Sequence, residues 1–418
     1  MTPDRAAILN AWVGAQIDAV RLRSREDILR RQELLWRRLQ TVVAQTPALA
    51  TCADRPLNVF PIFTPAQVRA DFAGWNTLGL AEDLVRAAAQ DAECGQGDGL
   101  PDGLTAGFST GSSGVQGLFL ASPRERAAYV GHALARLLPQ SAPLKRWRIA
   151  LCLRADNALY RDVGGAGRVA FDFIGLNVPR GERRARLDAF RPHILIAPSH
   201  VLADLAHRIE APPGWPLRRL FYAAEPMGEG ERAWIGDRLG MRPDPIYQAT
   251  EGFLGAPCRF GVLHLNEDVL IVEREPIAGT DRFRPIVTDL RRTSQPVVRL
   301  RLDDLLEPVV TCPCGSPFQA VRGVEGRLDD LWGWGGRFVL PRAVEEAMVA
   351  ALGPQREWRV TASASRILIE VGAGAAEAAT ATVATLLNEV GVALPVQVAG
   401  PPIQAGPKRR RVRWSDDR

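Results

Sequence analysis

Cysteine is scarce in this chain, and long apolar runs are missing. Six cysteines in 418 residues are too few for a disulfide framework, which indicates a reducing compartment and leaves burial, catalysis or metal binding as their roles. No stretch approaches the roughly 18 apolar residues of a membrane span. The start, MTPDRAAILNAW, lacks the basic segment and apolar run of a secretory signal. We therefore expect a cytoplasmic protein with no membrane partner.

An excess of one charge is also missing. Lysine and arginine total 52 against 47 aspartate and glutamate, a formal net charge of +5 over the whole chain. So weak a bias does not imply a polyanionic partner, and we expect no nucleic-acid binding. The hydrophobic fraction of 46% is enough for a sizeable core, and the length allows a large domain and a smaller one.

Short apolar runs alternate with helical patterns along the chain. Between about residues 100 and 250, buried strands are predicted at RWRIALCL, HILIAP and RRLFYAA, with helices between them, which is typical of a layered α/β sheet. A β-rich part follows over about 257–325, and after Gly326 the order is helix, strand, helix, strand. We predict an α/β protein in which layered α/β subdomains and a β-rich subdomain form a large N-terminal domain, residues 1–326. Residues 327–418 are predicted to form a second, small and mobile α+β domain.

A glycine- and serine-rich stretch, FSTGSSGVQG, occupies residues 108–117. Its glycines let the backbone approach a ligand and turn its amides inward, and its hydroxyl side chains add donors, so phosphate is the natural ligand. The stretch contains no lysine. A small-residue turn before a helix at Ser122 is the alternative, and the stretch alone does not decide between the two.

Further segments follow this loop in order: YAAEP, YQATEG, VRLRLDDL, GRLDDLW and a terminal GPKRRRV. The series resembles the adenylate-forming ligases, and within them the branch of phenylacetate–coenzyme A ligases and deazaflavin-adenylating synthetases, over nearly the whole chain. The resemblance implies that the protein uses ATP to activate a compact or aromatic carboxylic acid as an acyl-adenylate, releasing pyrophosphate. The acyl group would then pass to a thiol, either coenzyme A or the phosphopantetheine arm of an acyl carrier protein. The oligomeric state stays open between a monomer and a homodimer.

The resemblance also implies an ATP/AMP site built from scattered segments. The family's loop lysine would fall at Val115, so its charge would have to come from Mg²⁺, backbone amides or another cation. The implied nucleotide-binding residues are Ser109, Thr110, Gly111, Ser112, Ser113 and Gly114 at the phosphates, Ala224, Glu225 and Pro226 at the adenine, Tyr247 stacked near it, Asp304 at the ribose hydroxyls, and Arg327 near the ribose or phosphate.

Three catalytic residues and a hinge follow from the same resemblance. Thr250 would contact phosphate and Glu251 would hold Mg²⁺, which relieves the repulsion between two anionic reactants. Gln248 replaces a usual glycine in this motif and puts the turn geometry in question. Lys408 would bridge the carboxylate and the α-phosphate, although the register among the following arginines is open. Asp329 would be the hinge of the C-terminal domain.

Cysteine and histidine residues form one candidate metal set. Cys312 and Cys314 lie in TCPCGS, and Cys258 precedes His264 by six residues across a predicted hairpin. Three thiolates and one imidazole suit tetrahedral Zn²⁺, and four protein ligands leave no open position, so the metal would be structural. Some members of the phenylacetate ligase branch resemble this arrangement at the same places. Among the other histidines, His200 is a candidate for the acyl pocket.

Two alternatives to acid–thiol ligation stay open. A nucleotidyl transferase of the deazaflavin-adenylating kind would keep the ATP site but attack the α-phosphate with a hydroxyl group, so that AMP would remain in the product. A catalytically silent binding protein could retain the same fold after losing the loop lysine.

Overall fold

The computed structural model of the chain describes residues 4–93, 100–108, 117–138, 145–154, 163, 168–402 and 409–415. None of the helices in these ranges has the length and apolar character needed to cross a membrane. The α-helices are α1 (Arg5–Arg21), α2 (Arg25–Gln45), α3 (Pro47–Ala50), α4 (Pro65–Ala70), α5 (Glu82–Glu93), α6 (Pro123–Leu137), α7 (Arg180–Phe190), α8 (Ser199–His207), α9 (Glu229–Leu239), α10 (Pro341–Leu352) and α11 (Ala376–Glu389).

A parallel sheet with helices on both faces lies at the centre of the N-terminal part. It follows an antiparallel hairpin of β1 (Thr105–Phe108) and β2 (Leu118–Ala121), which packs on α5. One face is covered by α7, α8 and α9, and the other by α1 and α6. Because both faces are covered, the strands are nearly continuous apolar runs, and the predicted layered α/β arrangement is confirmed. In the order β4-β3-β5-β6-β7 the sheet contains β3 (Trp147–Leu153), β4 (Val169–Gly175), β5 (Ile194–Pro198), β6 (Arg219–Ala223) and β7 (Asp244–Pro245).

An antiparallel sheet follows, and this confirms the predicted β-rich part. Its buried face packs against α2 through Trp36, Leu39 and Val43. In the order β11-β12-β14-β15-β10-β9-β8, with β13 paired to β12, it contains β8 (Tyr247–Ala249), β9 (Gly252–Pro257), β10 (Leu263–Leu265), β11 (Leu270–Pro276), β12 (Phe283–Asp289), β13 (Val297–Arg301), β14 (Asp304–Val309) and β15 (Ala320–Arg327).

The C-terminal part has a hydrophobic core of its own, in which Trp332, Met348, Trp358 and Val383 are buried. Both helices predicted after Gly326 are present and each is followed by strands, but more strands form than the sequence predicts. The boundary between residues 326 and 327 stays a prediction. The strands are β16 (Trp332–Trp334) paired with β17 (Arg337–Val339), and a sheet of order β20-β19-β18-β21 built from β18 (Trp358–Ala362), β19 (Ile367–Val371), β20 (Val396–Ala399) and β21 (Val412–Trp414). The last strand, β21, runs parallel to β18 and fixes the C-terminal tail to this sheet.

A buried polar pair connects α6 to the antiparallel sheet. His132 is 2% exposed, and its Nε2 lies 2.9 Å from Oδ2 of Asp268, which also pairs with Arg136 at 2.6 Å. Burial lowers the pKa of His132 to about 4, although Asp268 acts in the opposite direction. The imidazole is therefore neutral at pH 7 and donates a hydrogen bond to the carboxylate.

The buried His132 predicts a specific loss of stability in acid. Between an ordinary histidine pKa near 6.5 and a folded pKa of about 4, the unfolded chain binds a proton that the folded chain does not. Stability therefore falls as pH falls through this window, by about 2–4 kcal/mol from this group. Urea unfolding measured from pH 7.5 to pH 4 should show a steeper loss for the wild type than for His132→Gln, which keeps an N–H donor for Asp268. The exposed His207 provides the control, because His207→Gln should follow the wild-type curve. Parallel curves for His132→Gln and the wild type would contradict the assignment.

Candidate active site

A cavity of about 390 Å³ lies where the parallel sheet, the antiparallel sheet and the C-terminal tail meet. It brings together all the predicted nucleotide-binding and catalytic residues that the structure describes. Two arginines of the tail, Arg409 and Arg410, line it as well. The predicted residues on its wall are Ala224, Glu225, Pro226, Tyr247, Thr250, Glu251, Asp304 and Arg327.

Other predicted site residues lie elsewhere or outside the described part of the chain. Asp329 lies in a short 3₁₀ turn, Leu328–Asp330, between β15 and β16, and its neighbour Asp330 lines the cavity. His200 is absent from the cavity wall among the described residues. Outside the described ranges lie the predicted phosphate loop, Ser109, Thr110, Gly111, Ser112, Ser113 and Gly114, and the predicted catalytic Lys408.

The ends of strands position these side chains. Residues 224–226 follow β6 at the carboxyl end of the parallel sheet, the edge at which ligands bind in open α/β folds. Ala224 has a φ of 68°, a left-handed conformation that costs a residue with a side chain about 1–2 kcal/mol. Such strain is characteristic of binding sites. In the antiparallel sheet, Asp304 and Arg327 are direct cross-strand partners on β14 and β15.

Gln248, which stands where a glycine is usual, fits its position without strain. It lies in β8 next to a register shift between Tyr247 and Gln248. Among the described non-glycine residues with positive φ, Gln248 does not occur. Its backbone therefore does not require glycine, and the following Thr250–Glu251 turn still reaches the cavity wall.

A short hydrogen bond links two of the predicted nucleotide contacts. The hydroxyl of Tyr247 donates to Oδ2 of Asp304 at 2.6 Å. Burial raises the pKa of Tyr247 well above its ordinary value, and the neighbouring Asp304 carboxylate raises it further. The phenol therefore remains protonated and orients the Asp304 carboxylate at the cavity wall.

Glu251 is a buried carboxylate facing the same cavity. Burial raises its pKa above the ordinary value, and the hydrogen bond from its own main-chain N–H and the nearby Arg292 and Arg327 offset this only in part. A carboxylate that is costly to ionise alone is stabilised when a cation binds beside it. The chemistry of this position therefore fits a divalent metal ligand.

Glu225, in contrast, has both oxygens engaged by protein groups. Oε2 accepts from the Ser199 hydroxyl at 2.7 Å and from the main chain of His200 at 3.1 Å, and Oε1 lies 2.8 Å from Nδ1 of His200 and 2.6 Å from the main-chain N of Arg409. Burial alone would raise its pKa, but the His200 hydrogen bond and the charges of His200 and Arg409 lower it to about 2. The carboxylate therefore binds the tail to the cavity wall, and His200 serves Glu225 instead of lining the cavity.

Arg292 joins three segments around the cavity, and the sequence analysis did not identify it. Its guanidinium donates to the carbonyl oxygens of Leu120 and Thr250, both at 3.1 Å, and to Oε1 of Gln295 at 3.0 Å. That amide oxygen also accepts from the main-chain N of Leu120 at 3.0 Å. Arg292 thus ties β2 to the Thr250–Glu251 turn.

The cysteine and histidine set converges in space as predicted. The sulfur atoms of Cys258 and Cys312 are 3.7 Å apart, Sγ of Cys314 is 3.4 Å from Nε2 of His264, and all four ligand atoms lie within 4.8 Å of one another. Thiolates about 2.3 Å from a tetrahedral Zn²⁺ ion would be about 3.8 Å apart. Nδ1 of His264 lies 3.2 Å from the carbonyl oxygen of Phe318, which leaves Nε2 for the metal, the usual second contact of a ligating histidine.

The fold of the chain is similar to that of solved CoA ligases and an amido synthetase, which agrees with the fold that the resemblance to adenylate-forming ligases implies. Three solved structures illustrate it, each with low sequence identity. The 2-hydroxyisobutyryl-CoA ligase (HCL), in the postadenylation state in complex with R3-HIB-AMP, has a TM-score of 0.63 at 18% identity and covers 100% of this chain and 90% of its own. The acyl acid amido synthetase AtGH3.15, in complex with 2,4-DB, has a TM-score of 0.56 at 12% identity, with coverages of 93% and 89%. The anthranilate CoA ligase AuaEII, in complex with anthranoyl-AMP, has a TM-score of 0.52 at 12% identity, with coverages of 74% and 66%.

Neither protein-family models nor curated protein sequences give a match to the chain. At identities of 12–18%, the similarity to these structures shows the fold alone, and substrate and chemistry have to be argued from the residues of the cavity.

The hydrogen bonds of Arg292 predict a stability effect. Arg292→Lys keeps the charge but loses the planar fork that reaches several acceptors, so the free energy of unfolding should fall by about 2–4 kcal/mol. Urea denaturation at pH 7.5 measures the change. Arg37→Lys is the control, because Arg37 is an exposed residue paired with Glu33 on α2, and its loss should change stability by less than about 0.5 kcal/mol. Equal stability of the two variants would show that Arg292 does not join the segments.

Proposed function

We propose that this protein activates a carboxylic acid with ATP, forming an acyl-adenylate and pyrophosphate, and then transfers the acyl group to a thiol. The observation that carries the proposal is the presence of Tyr247, Thr250, Glu251, Asp304 and Arg327 on the wall of one cavity. The fold supports it, because HCL is described with 2-HIB-AMP and CoA and AuaEII with anthranoyl-AMP.

In this proposal different residues of the cavity wall bind different parts of ATP. Asp304, oriented by Tyr247, accepts hydrogen bonds from the ribose hydroxyls, and residues 224–226 border the adenine. Since both oxygens of Glu225 are engaged, that border is formed by its neighbours and main chain. Thr250 contacts phosphate. Glu251 would hold a Mg²⁺ ion, whose charge would offset the repulsion between the attacking carboxylate and the triphosphate.

The proposed reaction consists of two nucleophilic substitutions. A carboxylate oxygen of the acid attacks the α-phosphorus of ATP, and the bond to pyrophosphate breaks. The thiolate of the acceptor then attacks the acyl carbon, and AMP leaves. Lys408 is assigned to the developing charge of the first step. The chain has only one other lysine, the exposed Lys145.

The acid is proposed to be aromatic or otherwise compact. Aromatic and small side chains form part of the same cavity: Phe72, Phe108, Phe119, Tyr129, Ala106 and Ala128. Apolar side chains of this kind favour an acid with an apolar body. The acceptor thiol belongs to coenzyme A or to the phosphopantetheine of a carrier protein, and Asp329 is the proposed hinge of the C-terminal domain.

Pyrophosphate exchange tests this function. Full-length protein incubated with ATP, Mg²⁺, labelled pyrophosphate and a panel of aromatic and short-chain acids should form labelled ATP with at least one acid. Addition of coenzyme A should then release AMP in a one-to-one ratio to thioester. Lys408→Ala should lower exchange by about 100-fold or more, since the group stabilises charge in the transition state, while ATP binding by calorimetry remains.

The matched control is Lys145→Ala, which removes the other lysine and should leave exchange at the wild-type rate. AMP that stays covalently attached to the product would support a nucleotidyl transferase instead. A folded protein that binds ATP and shows no exchange with any acid would reject acid activation.

We also propose that Cys258, His264, Cys312 and Cys314 hold a structural Zn²⁺ ion. Three sulfur atoms and one imidazole nitrogen within 4.8 Å of one another are the donor set and size that this ion prefers. The metal would join the β9–β10 hairpin to the turn between β14 and β15, because its ligands come from both.

Metal analysis tests the zinc site. Protein purified without chelator should contain about one equivalent of zinc, and Cys312→Ser should lose most of it and unfold at a lower temperature. Cys152→Ser is the control, since Cys152 is buried in the parallel sheet and should leave the zinc content unchanged. A wild-type preparation without zinc that neither binds added zinc nor gains thermal stability from it would refute the site.

A further inference from the structure

Glu231 is a completely buried carboxylate on α9, with an exposed fraction of 0%. Within the described part of the chain, the cations paired with it are two arginines of the C-terminal tail. Nη2 of Arg409 lies 2.7 and 2.8 Å from its two oxygens, and Nη1 of Arg411 lies 3.4 Å from Oε1. A helix of the N-terminal part therefore depends on the tail for its charge balance.

The tail residues are equally committed to this contact. The side chains of Arg409 and Arg411 are 7% and 4% exposed. The main-chain N of Arg409 donates to Glu225 on the cavity wall at 2.6 Å. Three residues later the tail enters β21, which pairs with β18 of the C-terminal sheet. Arg409 is thus held on both its side chain and its main chain, directly after Lys408 in the sequence.

Removing Arg409 from this position would leave Glu231 buried without a full counter-charge. Glu345 would add to the penalty, because its buried carboxyl already repels Glu231, and burial and that repulsion both raise the pKa of Glu345. An uncompensated buried charge is strongly unfavourable. The position of Arg409 is therefore defined by electrostatics as well as by packing.

We propose that Glu231 is a positioning residue for the adenylating half-reaction, a proposal that rests on the function proposed above. By clamping Arg409, it holds the end of the tail against the wall of the ATP cavity, so that the tail can serve the attack on the α-phosphorus. The second half-reaction forms and breaks bonds at the acyl carbon, and the clamp is not required for it.

The test compares the two half-reactions in Glu231→Gln and Glu229→Gln. Glu229 lies on the same helix, is exposed and pairs with Arg232 and Arg242 at the surface, so it is the matched control. Acid-dependent pyrophosphate exchange should fall about 10- to 100-fold in kcat for Glu231→Gln, with the KM for ATP changed by less than about threefold. Thioester formation from supplied acyl-adenylate and coenzyme A should stay within about threefold of the wild type, and Glu231→Asp, which keeps the charge, should recover part of the exchange rate.

Equal losses in both half-reactions would show a general structural defect and overturn the proposal, as would normal pyrophosphate exchange in Glu231→Gln.

Hydrogen exchange of a peptide that covers residues 409–415 tests the clamp independently of activity. Its amides should exchange faster in Glu231→Gln than in the wild type and Glu229→Gln, and equal exchange rates would also overturn the proposal. The two proposals can fail separately. If the wild type shows no acid-dependent pyrophosphate exchange but the tail amides exchange faster in Glu231→Gln, the proposed function is rejected and the contact of Glu231 with the tail is supported.

Discussion

The pairing of buried carboxylates with arginines from the C-terminal tail is the interaction on which the cavity depends. Glu225 and Glu231 belong to the parallel-sheet region, and each is bound by Arg409. Water does not solvate these carboxylates, so the protein itself has to supply the balancing charge. The wall of the cavity and the end of the chain therefore stabilise each other, although the bonded residues are 184 and 178 positions apart in sequence.

The sequence predicted the parts of the site that lie on regular strand ends. Apolar runs identified the parallel sheet, and the carboxyl ends of such strands meet at one edge, where residues 224–226 lie. Asp304 and Arg327 fall opposite each other because β14 and β15 pair in an antiparallel register. Each of these motifs carries its own local signal, and the described residues that the resemblance implies as nucleotide-binding or catalytic lie on the wall of one cavity.

The contacts that connect the motifs could not be predicted in the same way. Arg292 reaches Leu120, which lies 172 positions earlier in the chain, and the sequence around an arginine contains no record of such a partner. His200 follows a strand and was expected in the acyl pocket, yet its ring is used by Glu225. Both cases depend on which donors and acceptors the fold brings within hydrogen-bond distance, and the local sequence does not contain that information. Gln248 is the opposite case. The sequence pattern questions a residue other than glycine at this position, but the backbone φ of Gln248 is not positive, so its side chain fits.

The Glu231–Arg409 contact is suited to fixing the position of the C-terminal tail. A buried ion pair gains little net stability over an apolar pair, because desolvation of both charges offsets most of their attraction, but breaking it leaves a buried charge without its partner. The bidentate approach of Arg409 to Glu231 holds its side chain, and its main-chain bond to Glu225 holds its backbone. The contact therefore fixes where the residue after Lys408 lies, which is what the proposed positioning role of Glu231 requires.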